Sequence, residues 1–468
     1  TSYGAPKRMT EQGGWYFTAP WDPVTVRRGD ALGLRAGADY FAELLAPGLS
    51  NSTSDARWIS ILSWCLKWSH VTWRNAGGID LSRREGQRER YAWLRPLELL
   101  WVARTLVAGQ TTGQLRGRRS VARWITATED GQLSPNFEMS ADQFRRYRQV
   151  GMYGAYRVVF RSVPGLTTGD GWTLANTAHQ LANLVNETLP QTAQLKQQRF
   201  ENGTKWSHWI GKEARYWLEI GWQAEWKTIG GFLPTPDHAV RALLPKKECD
   251  LLAPSLFAAD SIRRMTAEVL AGAKTAKMHA ELCEALANSS MLAKKIAPVS
   301  LASLPAFTRF ADAAMLAMRA LWREVNHDDN RQAPSVRKLA SSADLQARFS
   351  QLRDAGNAWL KTPSRSTFPH EQVATQLAEA MRGAKTPSEQ LRALARHHYE
   401  HGGGRRWFRE QADTIIPLVA DTGIAASDYR FRLRSLCLLA AQCGIANMNN
   451  AIDALEQQET DDEESNTP

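Results

Sequence analysis

The stretch KTPSEQLRALARHHYEHGGGRRWFRE, residues 385–410, contains both ends of one helix and the start of a different structure. Thr386 is a good N-cap, Pro387 suits the first helical position, and Glu389 completes a capping box. Apolar positions then recur at helical spacing: Leu391, Leu394, Ala395 and His398. Gly402 is expected to end the helix in the left-handed conformation, and the histidines of the last turn are expected to complement the negative helix end.

The residues after the glycines favour a hairpin and then another helix. The segments RWFRE (406–410) and TIIPLV (414–419) can form two short strands around a turn at 411–413. The segment SDYRFRLRSLCLLAAQCG then resumes a helix, capped by Ser427 and stopped by Gly444. This order places six arginines on neighbouring elements: Arg405, Arg406, Arg409, Arg430, Arg432 and Arg434.

These arginines are the candidate nucleic-acid-binding residues, because guanidinium forks match phosphate oxygens. Gly402, Gly403 and Gly404 would let the backbone approach a phosphate closely. The alternative is a solvated basic face around a glycine turn. In that case the binding surface is expected along the stretch from Arg74 to Arg161, which has 16 arginines, 8 acidic residues and no lysine.

Composition supports a basic protein of several domains. The chain has 468 residues and a formal net charge of +10. Its last segment, 456–468, carries six acidic residues and no basic one, so the remainder carries +16, enough to attract polyanions. Fifteen of 18 tryptophans precede residue 230. We therefore predict a Trp/Arg-rich domain over 1–232, a helical bundle over 233–385, a small basic module over 386–450 and a disordered acidic tail over 451–468.

The predicted fold class is mainly α, multi-helical, with a few short strands that include the C-terminal hairpin. In the first part, helices are expected over 36–48, 53–73, 95–109, 140–151 and 206–226, while GAYRVVFRSVPGL (154–166) favours an extended structure. Further helices are expected within 254–296, 304–327 and 341–360.

Enzymatic sites are weakly indicated. His397 and His401 share a helical face, but the Glu of a zinc motif H-E-x-x-H is missing, so no metal, cofactor or catalytic residue is predicted. Glu225-Trp226-Lys227 fits the Glu-x-Lys fragment of magnesium nucleases, although its surroundings read as helical. GLTTGDGW (165–172) lacks the Gly-Lys-Ser/Thr end of a nucleotide-binding loop. The tryptophans are candidates for base stacking, with core packing as the alternative.

Compartment is indicated by the cysteines and by hydropathy. The five cysteines are few, odd in number and scattered, which is typical of a reducing cytosol: Cys65, Cys249, Cys283, Cys437 and Cys443. No apolar run approaches the length of a membrane span, and the first residues show no apolar signal region. A cytoplasmic location without membrane contact is expected.

Three stretches, 30–66, 148–172 and HHYEHGGGRRWF (397–408), resemble in style uncharacterised bacterial proteins from anti-phage defence islands, which often accompany helicases or nucleases. The resemblance covers about half of the chain. It implies a bacterial cytosolic subunit of a multi-protein system, with a helicase or nuclease among its partners, and it carries no catalytic residues.

The function expected from the sequence is a non-enzymatic, nucleic-acid-contacting subunit of such a defence system, with DNA favoured over RNA. Two alternatives stay open: a metal-dependent nuclease, and a protein-interaction scaffold that binds no nucleic acid.

Overall fold

The computed structural model describes residues 30–75, 136–139, 151–188, 222–225, 244–326, 333–402, 406–418 and 429–463, together with single positions between 86 and 122. The fold is mainly α, which confirms the predicted class. Two compact units are present. Of the described residues, unit 1 contains 48–258 and 438–445, and unit 2 contains 30–47, 259–437 and 446–463. The four-part division expected from the sequence stays a prediction.

The regular elements are numbered in chain order. The α-helices are α1 Arg35–Leu45, α2 Arg57–Asn75, α3 Met152–Ser162, α4 Asn176–Thr188, α5 Lys246–Leu256, α6 Ile262–Gly272, α7 His279–Ala287, α8 Pro298–Ala302, α9 Leu304–Asn326, α10 Val336–Ala340, α11 Ala343–Lys361, α12 Glu371–Gly383, α13 Pro387–His401, α14 Leu433–Gln442 and α15 Asn449–Glu463. The strands are β1 Asn136–Met139, β2 Trp222–Glu225, β3 Phe408–Gln411 and β4 Thr414–Pro417. Single 3₁₀ turns cover Leu292–Lys294 and Pro363–Thr367.

Unit 1 is built around α2, which packs against α3 and α4, and α4 in turn packs against α5. Its interior is rich in indole rings that are at most 1% exposed: Trp58, Trp64, Trp73, Trp101 and Trp172. Two of these rings pack edge to face, since the centroids of Trp64 and Trp101 lie 6.2 Å apart and their planes are inclined at 82°. Large aromatic side chains thus supply much of the buried apolar surface that holds unit 1 together.

Two predictions for unit 1 are wrong in type. The segment 154–166, expected to be extended, lies largely in helix α3. Met152, Tyr156 and Val159 recur at helical spacing and are buried, so tertiary packing overrides the β-propensity of the segment. Within 206–226, expected to be helical, Trp222–Glu225 is instead a strand antiparallel to Asn136–Met139. The segment 140–150 lies outside the described residues, whereas the helices expected over 36–48 and 53–73 are confirmed.

Unit 2 is a helical bundle in which α9 packs on α7 and α11, α11 on α12, and α12 on α13. Aromatic rings fill its centre. The rings of Phe41 and Phe368 stack with centroids 5.0 Å apart, and Phe431 lies 5.5 Å from Phe41. Gly37 on α1 is required by this packing, because a Cβ there would lie 2.8 Å from Phe307 and Phe368.

The acidic segment differs from the disordered tail that its composition suggests. Helix α15 spans Asn449–Glu463, and its apolar side chains are buried: Ala451, Ile452, Ala454 and Leu455. Their spacing gives α15 an apolar face that packs on α6 and α7. The sequence-based prediction of disorder rested on the acidic composition of the segment and not on the helical spacing of these apolar residues. Residues 464–468 lie outside the described part of the chain.

Among the described residues, no helix combines the length and the apolar character that crossing a bilayer would require.

Candidate nucleic-acid interface

Helix α13 begins as the sequence predicts. The Thr386 hydroxyl accepts a hydrogen bond from the N–H of Glu389 at 3.2 Å, and the Glu389 carboxylate accepts one from the N–H of Thr386 at 3.1 Å. The N–H groups of Lys385 and Thr386 lower the pKa of Glu389 because they stabilise its charged form. This reciprocal capping box sets the register of α13 and so decides which of its side chains face inwards.

His398 joins three parts of unit 2. Its Nδ1 lies 2.7 Å from the carbonyl oxygen of Ala31, and its Nε2 accepts a hydrogen bond from the N–H of Trp407 at 2.9 Å. The Nδ1–H tautomer of a neutral imidazole satisfies both contacts, and burial lowers the pKa of His398 in agreement. This one side chain therefore fixes the chain near residue 31 and the start of the hairpin to the end of α13.

His397 also contacts the backbone near residue 31. It is buried, its Nε2 lies 2.9 Å from the carbonyl oxygen of Leu32, and burial lowers its pKa to about 4. His397 and His398 are therefore neutral at pH 7, and the expectation that they complement the helix end by charge is wrong for both. The rings of His397 and His401 lie 4.5 Å apart. In the described part of the chain, no three His, Cys, Asp or Glu side chains are placed to hold a metal ion.

Gly402 ends α13, but its conformation is not left-handed as predicted, since φ is −59° and ψ is 119°. The need for glycine comes from close approach instead. A Cβ at this position would overlap the carbonyl oxygen of His398 and would lie 3.1 Å from that of Ala31. Gly403, Gly404 and Arg405 lie outside the described residues, so their suggested approach to phosphate stays a prediction.

The predicted hairpin is confirmed. Strand β3 pairs antiparallel with β4, and Ala412 in the turn has φ of 55°. Phe408 and Ile415 are buried on one face of the hairpin, whereas Arg409 is exposed on the other, opposite Ile416. Alternation along the strands thus directs Arg409 towards solvent.

Among the described members of the predicted arginine set, Arg406 and Arg409 are exposed. The guanidinium of Arg406 lies 4.3 Å from the ring centroid of Tyr399, and its Nε donates to the carbonyl oxygen of Tyr399 at 2.8 Å. The Tyr399 side chain is itself 46% exposed. Within the described part of the chain, neither Arg406 nor Arg409 forms an ion pair with a carboxylate. Both guanidinium groups keep donors available for a phosphate.

The three later arginines of the set have protein partners. Arg430 is buried and donates to the carbonyl oxygen of Leu455. Arg432 forms a 2.6 Å ion pair with Glu43, and Arg434 forms a 2.8 Å ion pair with Glu456. Phe431 and Arg432 have positive φ angles, so α14 begins at Leu433 rather than near Ser427, which lies outside the described residues. The structure thus separates these arginines from Arg406 and Arg409 by environment.

Two other sequence signals have a clear placement. Six described tryptophans are fully buried, as the core interpretation expects: Trp58, Trp64, Trp73, Trp101, Trp172 and Trp359. The segment before Trp226 and Lys227 is a strand that ends at Glu225, so the helical surroundings expected for the Glu-x-Lys fragment are wrong. Trp226 and Lys227 themselves lie outside the described residues.

Sequence reasoning missed two exposed side chains of α13, of which Tyr399 contacts Arg406. Arg396 and Tyr399 lie three residues apart on the solvent side of α13, and both are exposed. The helical register set by Thr386 was the available signal, because it places both positions away from the face of Leu391 and Leu394. Comparison of the chain with protein-family models, curated proteins and solved structures finds no match.

Proposed function

We propose that the protein is a nucleic-acid-contacting subunit of a bacterial, multi-protein anti-phage defence system, acting in the cytoplasm. The contact is assigned to the hairpin surface, defined as Arg396, Tyr399, Arg406 and Arg409. The observation that carries the proposal is the exposure of Arg406 and Arg409, without carboxylate partners in the described chain, on a hairpin held by His398.

The chemistry of this surface suits a phosphate backbone. Arginine forks bind phosphate oxygens with two parallel hydrogen bonds, and this contact is independent of base sequence. The Tyr399 ring adds an aromatic face on which an unpaired base can stack. DNA is the favoured nucleic acid, with other system subunits such as a helicase or nuclease as protein partners.

The test is a binding titration of the full chain with labelled duplex and single-stranded DNA at low and near-physiological salt. The double variant Arg406→Glu with Arg409→Glu should weaken binding by at least about tenfold. The slope of log affinity against log salt concentration should also become shallower, by the amount expected for the loss of about two phosphate contacts. The matched control is Arg382→Glu with Lys361→Glu, which makes the same charge change at two other exposed positions of unit 2. Equal losses in the two double variants would overturn the assignment to the hairpin surface, and no binding even at low salt would favour the scaffold alternative.

A metal-dependent nuclease is the second candidate. Its supporting observation is the strand Trp222–Glu225, because the Glu-x-Lys fragment of such enzymes is expected in a strand rather than a helix. The purified chain with magnesium or manganese should cleave DNA if this candidate is correct, and Glu225→Gln should abolish the cleavage. Absence of metal-dependent cleavage would leave nucleic-acid contact without catalysis.

A further inference from the structure

Unit 1 carries a cationic surface that joins Arg74 and Arg161, the ends of the arginine-rich stretch noted in the sequence, to side chains that the sequence did not connect with them. We define the unit 1 cationic surface as Lys67, His70 and Arg74 on α2, Arg161 on α3 and His179 on α4. Helices α2 and α3 contain no acidic residue, and α4 contains only Glu187. The α2 residues are spaced by three and four positions, so they share one face of the helix.

Hydrogen bonds along the α2–α4 contact fix this face. The indole N–H of Trp64 donates to Asn186 at 3.3 Å, and the ammonium of Lys67 donates to the amide oxygen of Asn183. One turn earlier on α4, His179 is exposed, and its pKa is lowered first by partial burial and then by the charge of Lys67. The imidazole of His179 therefore lies within the electrostatic reach of Lys67.

His70 lies between Lys67 and Arg74 on the shared face of α2 and has a buried ring nitrogen that forms no hydrogen bond with the described residues. Its side chain is about half-buried, and that nitrogen is Nδ1. Burial, followed by the charges of Arg90, Arg74 and His179, lowers the pKa of His70 to about 4. Of the described groups that act on His70, Asp170 raises its pKa. A half-buried imidazole that is kept neutral first by burial and then by neighbouring cations marks a place where an anion would be stabilised.

A buried charge adds to the positive potential from beneath. Arg90 is fully buried, and its guanidinium donates to the Ser69 hydroxyl at 2.7 Å and to the Leu66 carbonyl at 2.6 Å. The rings of Trp73 and Trp172 lie 6.0 and 5.6 Å from the guanidinium carbon. The hydrogen-bond partners of both terminal guanidinium nitrogens are neutral, so they leave the charge of Arg90 in place, and within the described part of the chain its buried Nε has no hydrogen-bond partner.

The loop 163–175 supplies the nearby carboxylate, but that carboxylate is already occupied. Asp170 accepts hydrogen bonds from the N–H groups of Trp172 and Thr173 at 2.7 and 2.8 Å, and from the Thr173 hydroxyl at 2.6 Å. Arg161 lies against the same loop, since its Cγ would be 3.0 Å from a Cβ at Gly171. Among the residues that the structure describes, the basic side chains of the surface thus outnumber the acidic side chain beside them.

We propose that the unit 1 cationic surface binds a phosphate group. The exposed side chains of Arg74 and Arg161 would approach its oxygens, with Lys67 as an additional positive charge. The shared chemistry has two possible sources, the phosphodiester backbone of a nucleic acid and the terminal phosphate of a nucleotide. This proposal concerns unit 1 alone and does not depend on the hairpin surface.

Proton uptake should accompany binding. The negative charge of a phosphate beside His70 offsets the positive charges of Arg74, Arg90 and protonated His179. It acts in the same direction as the negative charge of Asp170, so it raises the pKa of His70 and favours the protonated imidazole. Affinity should therefore increase as pH falls from about 7 to about 5, where the phosphate itself keeps at least one negative charge.

The experiment is a calorimetric titration of the full chain with inorganic phosphate, with a nucleoside monophosphate and with an oligonucleotide lacking terminal phosphates. Lys67→Gln with Arg74→Gln should weaken phosphate-group binding by at least about tenfold. The matched control is Lys246→Gln with Lys247→Gln, two exposed cations at the start of α5 in the same unit, and it should change affinity less than about twofold. If the Lys67/Arg74 variant loses affinity for the oligonucleotide alone, the ligand is the phosphodiester backbone of a nucleic acid. If it loses affinity for inorganic phosphate and the monophosphate, the ligand is a terminal phosphate.

Two results would overturn the proposal: equal affinity in the Lys67/Arg74 variant and the wild-type chain, or no binding of any of the three probes at low salt. The histidine signals of the wild-type chain give a measurement independent of folding in the variants. The pKa of His70 should increase on addition of the bound probe, and an unchanged His70 titration would contradict the proposed position of the phosphate. The Arg406/Arg409 variant should retain this response, which separates failure here from failure of the hairpin surface.

Discussion

Two regions of the molecule use glycine, histidine and arginine for opposite purposes. At the C-terminal region of unit 2, His398 and Arg430 are buried and bonded to backbone groups, and Gly402 closes a tight contact. At the unit 1 cationic surface, one ring nitrogen of His70 has no hydrogen-bond partner in the described part of the chain, and Arg74 is exposed. The difference shows that residue type alone does not define a binding surface. The partners available on neighbouring elements decide it.

The source of those partners explains the difference. In unit 2, α1 and α15 bring Glu43 and Glu456 to Arg432 and Arg434. In unit 1, α2 and α3 have no carboxylate to offer. Ion pairs with fixed partners leave few donors for a ligand, whereas cations without them keep a field that attracts anions.

The largest expected effect is the loss of stability in acid through His397. Its pKa is about 4 in the folded state, against about 6.5 in an unfolded chain. The unfolded state therefore binds more protons between these values, and stability that is complete above about pH 6.5 should fall by about 3 kcal/mol as pH approaches 4. Urea unfolding across this range should show a shallower acid loss in His397→Gln than in the wild-type chain. If stability falls equally with pH in the variant and the wild-type chain, the buried neutral state of His397 would be contradicted.

The same measurement sharpens the comparison, because His70 shares the low pKa but is more exposed. His70→Gln should therefore change the acid loss less than His397→Gln does.

The next largest effect is expected for alanine substitutions of two glycines, one in each unit, which should lower the free energy of unfolding by different amounts. Gly402→Ala places a Cβ against the carbonyl oxygens of His398 and Ala31, so it should lower the free energy of unfolding by about 2.5 kcal/mol. Gly169→Ala in unit 1 faces open space, and its φ of 98° should cost about 1 kcal/mol from backbone strain. Chemical denaturation of both variants checks the order. Gly383→Ala, which also faces open space at the end of α12, is the control and should be neutral or slightly stabilising.

The third effect in size is the difference in stability lost when a buried and an exposed arginine are each replaced by methionine. Arg430→Met leaves the Leu455 carbonyl oxygen without this donor inside unit 2, and it should destabilise the fold by about 1.5 kcal/mol. Arg74→Met should change stability by less than about 0.5 kcal/mol, because the side chain is exposed. Similar midpoints for the two variants in urea would show that Arg430 is not a structural residue.

The smallest effect is expected for the ion pair of Arg432 with Glu43. The Glu43 side chain is 61% exposed, so the attraction is screened by solvent and Arg432→Met should cost less than about 1 kcal/mol. A double-mutant cycle with Glu43→Gln measures the interaction directly. A coupling well above 1 kcal/mol would show that the pair is stronger than its exposure indicates.

The predicted parts of the fold share a physical cause. Helix α13 and the β3–β4 hairpin were predictable because their bonds join residues close in sequence, as between Thr386 and Glu389. The segment 154–166 was mispredicted because its β-branched residues are packed as a helix by tertiary contacts. The exposed pair Arg406 and Arg409 was named from the sequence. Of the unit 1 cationic surface, the sequence named only Arg74 and Arg161, as the ends of an arginine-rich stretch, because the full surface combines residues of three helices.

The sequence by itself determined the helical class, the capping box at Thr386, the hairpin and the presence of excess positive charge, because these depend on residue type and local spacing. Only the tertiary structure decided which charges are available. Arg432 meets Glu43 across a sequence separation of 389 residues, and His398 meets the carbonyl oxygen of Ala31 across 367. Spacing along a chain carries no information about partners so distant, and burial of those partners is what turns one arginine or histidine into a structural residue and leaves another open to a ligand.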